Sequence, residues 1–115
     1  MREFEPPPFA IDVAEQEERT LLNLSGELDL ATVGELEVAL ASRLDAGENI
    51  VVDLRGLAFM DSSGVRALVG AHQSAQEGNG SLVIVRASRG SEVDRVIDVS
   101  GIATALGMVD EPPAG

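Results

Sequence analysis

The sequence predicts a single α/β domain with a small, mixed and mostly parallel sheet. Two observations favour this class: short apolar runs typical of buried strands, and longer segments between them with apolar residues at helical spacing. Strands that alternate with helices pair in parallel through crossover connections, so the sheet should be largely parallel. The length of 115 residues fits one domain. We expect that domain at residues 9–109, between flexible tails at 1–8 and 110–115.

Two strands joined by a turn open the domain. Apolar residues alternate with polar or small ones on both sides of an acidic connection at residues 15–18. These apolar positions are Phe9, Ile11, Val13, Leu22, Leu24 and Leu28. A period of two indicates strands with one buried face, so we expect a β-hairpin.

The first helix should follow this hairpin directly. Thr32 and Glu35 have the spacing of a capping box, and Gly47 is a stop signal. The apolar stripe between them consists of Val33, Leu36, Leu40 and Leu44. The apolar run at residues 50–54 then predicts a buried strand.

The second half of the chain predicts a strand between two helices. One helix should begin at the serines near residue 62 and end at Gly78, with an apolar face made by Val65, Leu68, Val69 and His72. A turn at Asn79 precedes a strand at residues 82–85. Ser91 should cap a third helix that ends at Gly101, and a short last strand is expected at residues 107–109.

The segment Asp61-Ser62-Ser63-Gly64 is the most informative part of the chain. It lies where an apolar strand gives way to a helix, so both hydroxyl groups are at a helix N-terminus. The free backbone N–H groups and the positive dipole end there favour an anion, so a phosphate would be tolerated. The pattern therefore indicates a regulatory switch. On local sequence alone, two serines that only cap the helix are the alternative.

Each residue around the switch has an expected role. Either Ser62 or Ser63 could carry the phosphate, and Asp61 would add negative charge beside it. Gly64 either exposes the backbone to a kinase or lets the helix approach the sheet closely. Phe59 should pack inward. For Met60, an exposed partner contact and a place in the core are equally open.

The two segments Gly26–Asp29 and Phe59–Gly64, in this order of elements, closely resemble the bacterial anti-sigma factor antagonists of the STAS domain family. The resemblance extends over residues 9–109. It implies helices mainly on one side of the sheet, Ser63 as the phosphate acceptor at an exposed helix start, and Asp29 close to it. With Ser63 as the acceptor, we expect Ser62 to be the helix cap. On this basis the expected partner-binding residues are Asp29, Met60, Asp61, Ser62 and Gly64.

The resemblance also implies a function. The unphosphorylated protein would bind an anti-sigma factor that is an ATP-dependent serine kinase, and would thereby free a sigma factor. Phosphorylation of Ser63 would switch it off, and a metal-dependent serine phosphatase would restore it. The chain itself would not be an enzyme. The alternative is a STAS scaffold, or an accessory subunit of a signalling or lipid-transport assembly.

Composition limits the partners. The net charge of −12, from 20 acidic and 8 basic residues, argues against direct binding to nucleic acid or to an anionic membrane. It favours a protein partner with basic patches. The absence of cysteine excludes disulfides and thiol chemistry. The N-terminus lacks the features of a secretory signal, so we expect cytoplasmic residence.

Catalytic and metal sites find little support in the sequence. Neither serine has the flanking glycines of a nucleophile elbow, and His72 lies about 14 Å from Ser63 along the predicted helix. Asp29, Asp53 and Asp61 could be imagined as a magnesium site, but ordinary loop and cap roles are the simpler interpretation. We expect no cofactor and no metal.

Overall fold

The computed structural model describes residues 8–113. The strands within this range are β1 (Phe9–Glu15), β2 (Thr20–Leu28), β3 (Asn49–Asp53), β4 (Leu57–Met60) and β5 (Ser81–Val85). The helices are α1 (Val33–Asp45), α2 (Ser62–Glu77), α3 (Glu92–Ser100) and α4 (Ile102–Ala105). Of the tails predicted at 1–8 and 110–115, residues 1–7 and 114–115 lie outside the described residues. The predicted α/β class is confirmed.

The sheet is mixed and mostly parallel, as expected. β1 pairs with β2 in an antiparallel hairpin. On the other side of β2, β3 runs parallel to residues 20–23 and β4 runs parallel to residues 26–28. β5 is parallel to β3 and completes the order β1-β2-β3-β5. β4 therefore continues along β2 beyond the point where β3 ends.

The main core lies on one face of this sheet. Leu22 pairs with Val52, and Val52 pairs with Ile84, so their side chains point to the same side. All three belong to one apolar cluster, and buried residues of every helix in residues 8–113 join it. The helical members are Val33, Leu36, Leu40, Leu44, Ala67, Leu68, Ala71, Val93, Ile97 and Ile102. The helices accordingly pack mainly on one side of the sheet.

Two short elements were not predicted, and one predicted strand does not form as a strand. β4 has four residues and α4 is a single helical turn, so neither is long enough to show a clear period. The expected strand at residues 107–109 is reduced to one parallel bridge between Val85 and Val109. The chain end is nevertheless tied to the sheet, because Val109 N–H donates to Ile84 O at 2.9 Å.

A β-bulge decides which side chains of β4 enter the core. Leu57 is opposite Gly26 and Phe59 is opposite Glu27, so Ala58 is an extra residue in the ladder. The extra residue shifts the alternation by one position. Met60 is consequently buried and Phe59 is 39% exposed. The prediction that Phe59 packs inward is wrong for this reason.

No helix among residues 8–113 has both the length and the apolar character needed to cross a membrane.

Candidate functional site

The two segments singled out in the sequence lie next to each other in the fold. Leu28, near the end of β2, pairs with Met60 at the end of β4. The backbone N–H of Asp61 then donates to Leu28 O at 3.2 Å. This parallel pairing places Asp29 and Asp61 at the same edge of the sheet, each directly after its strand. The predicted proximity of Asp29 to the serine-bearing helix start follows from it.

Asp61 caps α2, a role the sequence analysis gave to Ser62. The Asp61 backbone is extended, and its carboxylate accepts the Ser63 N–H at 2.8 Å. The backbone N–H groups of Gly64 and Val65 donate to Asp61 O at 3.1 and 3.3 Å. Asp61 lies one position before the first helical residue, where a side-chain acceptor reaches the free N–H groups. Ser62 is already inside the helix, so its assignment as the cap is wrong.

The two serines differ in accessibility. Ser62 is exposed, and its hydroxyl group accepts a long 3.5 Å hydrogen bond from Arg66. Ser63 is buried, with 8% of its surface exposed. The expectation of an openly presented acceptor at position 63 is therefore wrong for this conformation.

Gly64 is the point where α2 comes closest to the sheet. A Cβ atom added there would lie 2.6 Å from Met60 Cγ and 2.9 Å from Leu28 Cδ2. Close approach is thus a sufficient reason for this glycine. Met60 is 1% exposed and belongs to the core. Of its two alternatives, a place in the core is therefore correct and an exposed partner contact is not. In this conformation Met60 cannot touch a partner by its side chain and can only shape the surface from below.

Asp29 organises the turn between β2 and α1. Its Oδ1 atom accepts hydrogen bonds from the backbone N–H groups of Ala31 (3.0 Å) and Thr32 (3.2 Å). The hydroxyl group of Thr32 donates to Glu27 O at 2.8 Å, and it accepts the Asp29 N–H at 3.0 Å. Thr32 therefore points back into the turn and makes no side-chain cap of α1. The predicted capping box with Glu35 is not formed.

An apolar groove of about 510 Å³ borders the start of α2. We call it the α2–α3 groove; its walls include Phe59, Ser62, Val65, Val96 and Val99. Phe59 is 39% exposed and Val99 is 84% exposed, so much of this apolar surface is open. The groove was missed in the sequence because it depends on the bulge in β4 and on the placement of α3.

A comparison with protein-family models decides the family. The model described as "Mlab, STAS domain" matches residues 11–110, most of the chain. This chain belongs to the STAS domain family.

Known relatives have the same domain. An anti-sigma-B factor antagonist of Staphylococcus aureus is 30% identical over 93 residues, covering 80% of this chain and 84% of that protein. The crystal structure of an anti-sigma factor antagonist from Mycobacterium paratuberculosis is similar with a TM-score of 0.78 and 23% identity, over 90% and 86% of the two chains. The structure of the Bacillus cell fate determinant SpoIIAA in its phosphorylated form is similar with a TM-score of 0.67 and 24% identity. The likeness covers 90% of this chain and 92% of that chain. These structural likenesses show the shared STAS fold.

The acids considered as a magnesium site each have another role in this STAS domain. Asp53 is buried and binds the guanidinium group of Arg55, with its Oδ2 atom 2.8 Å from Arg55 Nη2. Asp29 holds its turn and Asp61 caps α2. Within residues 8–113, no group of three or more histidine, aspartate or glutamate residues could hold a metal ion.

His72 is half-buried beside the apolar face of α2, at the edge of the core as predicted.

A buried ion cluster fixes α3 of the STAS domain, and the sequence analysis missed it. Arg86, directly after β5, is 8% exposed and donates to Asp94 at 2.7 Å and to Asp98 at 3.0 Å. The hydrogen bond from the Gly90 N–H and then the Arg86 guanidinium hold the pKa of Asp94 below its ordinary value. The spacing of Asp94 and Asp98, four residues apart on one helix face, was the available signal.

Proposed function

We propose that this STAS protein is an anti-sigma factor antagonist, a regulator and not an enzyme. Unphosphorylated, it binds an anti-sigma factor that is also a serine kinase, and so frees a sigma factor. One observation supports this most: the Leu28–Met60 pairing brings Asp29 and the Asp61–Gly64 helix start to one edge of the sheet. The names of the curated relatives point to the same function.

Within this proposal Ser63 is the phosphate acceptor. Its backbone N–H is bound by Asp61, so the two residues are in direct contact at the free end of α2. The STAS structure of SpoIIAA in its phosphorylated form supports a phosphoprotein of this fold. The kinase supplies the chemistry, and a metal-dependent serine phosphatase reverses it. This chain supplies the hydroxyl group and the surface that changes.

Phosphorylation would act on the helix start by charge. A phosphate has a charge of about −1.5 to −2 at neutral pH and would lie beside the Asp61 carboxylate. Both anions would compete for the same backbone N–H groups of the first turn. Because only 8% of Ser63 is exposed, a phosphate there would also crowd the first turn of α2. The surface formed by Asp61 and Ser62 would then no longer fit the partner, whereas Gly64 is buried and would act only through the position of the turn.

The test uses two variants of Ser63 and one control. We expect Ser63→Ala to bind the anti-sigma factor as the unmodified protein does, because alanine is smaller than serine and adds no charge. Ser63→Asp should bind at least about tenfold more weakly, the equivalent of about 1.4 kcal/mol. Ser62→Ala is the control and should retain both binding and phosphorylation. The measurements are calorimetric affinity and intact mass with site mapping after incubation with the kinase and ATP.

Two results would contradict the proposal. Equal affinity of Ser63→Ala and Ser63→Asp would show that charge at this position does not control binding. A phosphate mapped to Ser62, and lost in Ser62→Ala, would transfer the acceptor role to the exposed serine.

The second candidate function is a scaffold or an accessory subunit of a signalling or lipid-transport assembly. The observation that favours it is the description of the matching family model, "Mlab, STAS domain", which does not mention anti-sigma factors. A scaffold should be found in a stable complex, whereas an antagonist should join its kinase reversibly. Size-exclusion chromatography of the protein recovered from its own host separates the two: a constant large species, unaffected by phosphorylation, indicates the scaffold.

A further inference from the structure

The α2–α3 groove has the character of a docking site next to the proposed switch. It has a volume of about 510 Å³, in the range of sites that receive a side chain or a small ligand. Phe59 and Val99 leave apolar surface exposed on its two sides. Single exposed apolar residues are ordinary, but two that face one concave site next to a regulatory residue are more informative.

Charge selects the class of occupant. A second copy of the chain would bring a net charge of −12 against another −12, which opposes association. An anionic lipid surface would be repelled for the same reason. A protein segment with basic residues around an apolar side chain would be attracted, and long-range attraction of this kind raises the rate of association.

The groove is also continuous with the surface that the proposed switch controls. Ser62 forms part of its wall, and the next residue is the proposed acceptor. Asp61, which precedes Ser62, holds the first turn of α2 that forms this wall. A change in that turn therefore changes the groove.

We propose that the α2–α3 groove receives a large apolar side chain from a basic segment of the anti-sigma factor. This inference rests on the proposed function and deepens it. The apolar contact with Phe59 and Val99 anchors the partner. The groove wall itself has one acid, Glu92, and one base, Arg95, so the attraction for basic residues comes from the net negative charge of the whole chain. Phosphorylation of Ser63 would then act in two ways, by adding negative charge at the groove and by displacing the wall formed by Ser62.

The test compares two exposed valines on different helices. Val99→Glu puts a carboxylate into the groove, whereas Val38→Glu makes the same change on α1, outside the groove. Val99 is 84% exposed and Val38 is 70% exposed, so both variants should keep the fold. Val99→Gln removes the apolar contact without adding charge. The probe is a purified anti-sigma factor kinase from the source genome that phosphorylates the wild-type chain on Ser63.

We expect Val99→Glu to weaken the affinity at least about tenfold, as for a central apolar contact, and Val38→Glu to change it less than about twofold. The affinity of Val99→Gln for the anti-sigma factor should lie between those of Val99→Glu and Val38→Glu. In phosphorylation assays Val99→Glu should raise KM and leave kcat unchanged, because the acceptor is intact. Thermal unfolding of the variants provides the control for folding.

Three outcomes would overturn the inference, and they are distinguishable. Equal affinities of Val99→Glu and Val38→Glu, with tight binding by the wild type, would reject the groove and leave the proposed function standing. A concentration-dependent dimer of the wild type that Val99→Glu abolishes would assign the groove to a second copy. Failure of every candidate kinase to bind or phosphorylate the wild type would reject the proposed function, and this inference with it.

Discussion

At the scale of single residues, Gly64 fixes the geometry of the proposed switch. The first turn of α2 lies against Met60 and Leu28 because position 64 has no side chain. A Cβ atom there would push the turn away from the sheet, and with it Ser63 and Asp61. The sequence suggested this role as one of two for Gly64, and the contact distances show that close packing is enough to require glycine.

We expect Gly64→Ala to destabilise the domain by about 1–3 kcal/mol, the usual range for an overpacked core. Gly70→Ala is the matched control on the same helix, because an added Cβ there meets nothing within 4 Å. That variant should stabilise the protein by about 0.5–1 kcal/mol through the higher helix propensity of alanine. Urea unfolding of both variants measures the difference. Equal stability would show that the turn at Gly64 adapts freely.

Asp29 has one role in its turn and one proposed role in partner binding, and substitution can separate them. Asp29→Asn keeps a side-chain oxygen for the N–H groups of Ala31 and Thr32 but removes the charge. Asp29→Ala removes both, and loss of these hydrogen bonds should cost about 1 kcal/mol. If Asp29 contacts the partner by its charge, both variants should bind more weakly while only Asp29→Ala melts at a lower temperature. Full binding by Asp29→Asn would assign the residue to the turn alone.

At the scale of elements, α3 depends on its attachment to β5. Arg86 joins the end of β5 to Asp94 and Asp98 on α3, and the Gly90 N–H adds a further hydrogen bond to Asp94 at 2.9 Å. The Nε atom of Arg86 is buried and has no partner among the described residues. The guanidinium group therefore relies on its two carboxylates, which add a polar attachment to the apolar packing of Val93 and Ile97.

This attachment predicts a specific acid sensitivity. The pKa of Asp94 is lower in the folded protein than its ordinary value of 3.8, so ionised Asp94 stabilises the fold at neutral pH. That contribution is complete above pH 3.8 and is lost as the pH falls through the lowered value. We expect urea unfolding between pH 7 and pH 2 to show a smaller loss of stability for Asp94→Asn than for the wild type. Identical pH profiles would contradict this role.

The elements that the sequence predicted well are those with a clear period. α1, α2 and β2 have stripes or alternation long enough to be decided by local sequence. β4 has four residues and a bulge, so its alternation could not show that Met60 enters the core and Phe59 does not. The cap of α2 was misplaced by one residue because aspartate and serine are equally good caps, and only the geometry separates Asp61 from Ser62.

At the scale of the whole molecule, the alternation of strands and helices predicted the mixed sheet, but not the order of its strands. Two strands, β3 and β4, share the same side of β2, and no local signal announces such an arrangement. The expected proximity of Asp29 to Ser63 came from the resemblance to the STAS family, since the two residues are far apart in the sequence. The α2–α3 groove depends on this same tertiary arrangement, which is why it could be found only in the structure.

The pairing of β2 with β4 has a consequence for protein synthesis. Leu28 and Met60 are far apart in the chain, and the edge that joins Asp29 to Asp61 exists only after their strands have met. Contacts between distant residues form late, because a long loop must close first. A nascent or damaged chain in which β4 has not docked would present Ser63 without its neighbours from β2. Under the proposed function, a kinase that recognises both segments would then act on completed molecules only, and unfinished chains would stay outside the phosphorylation cycle.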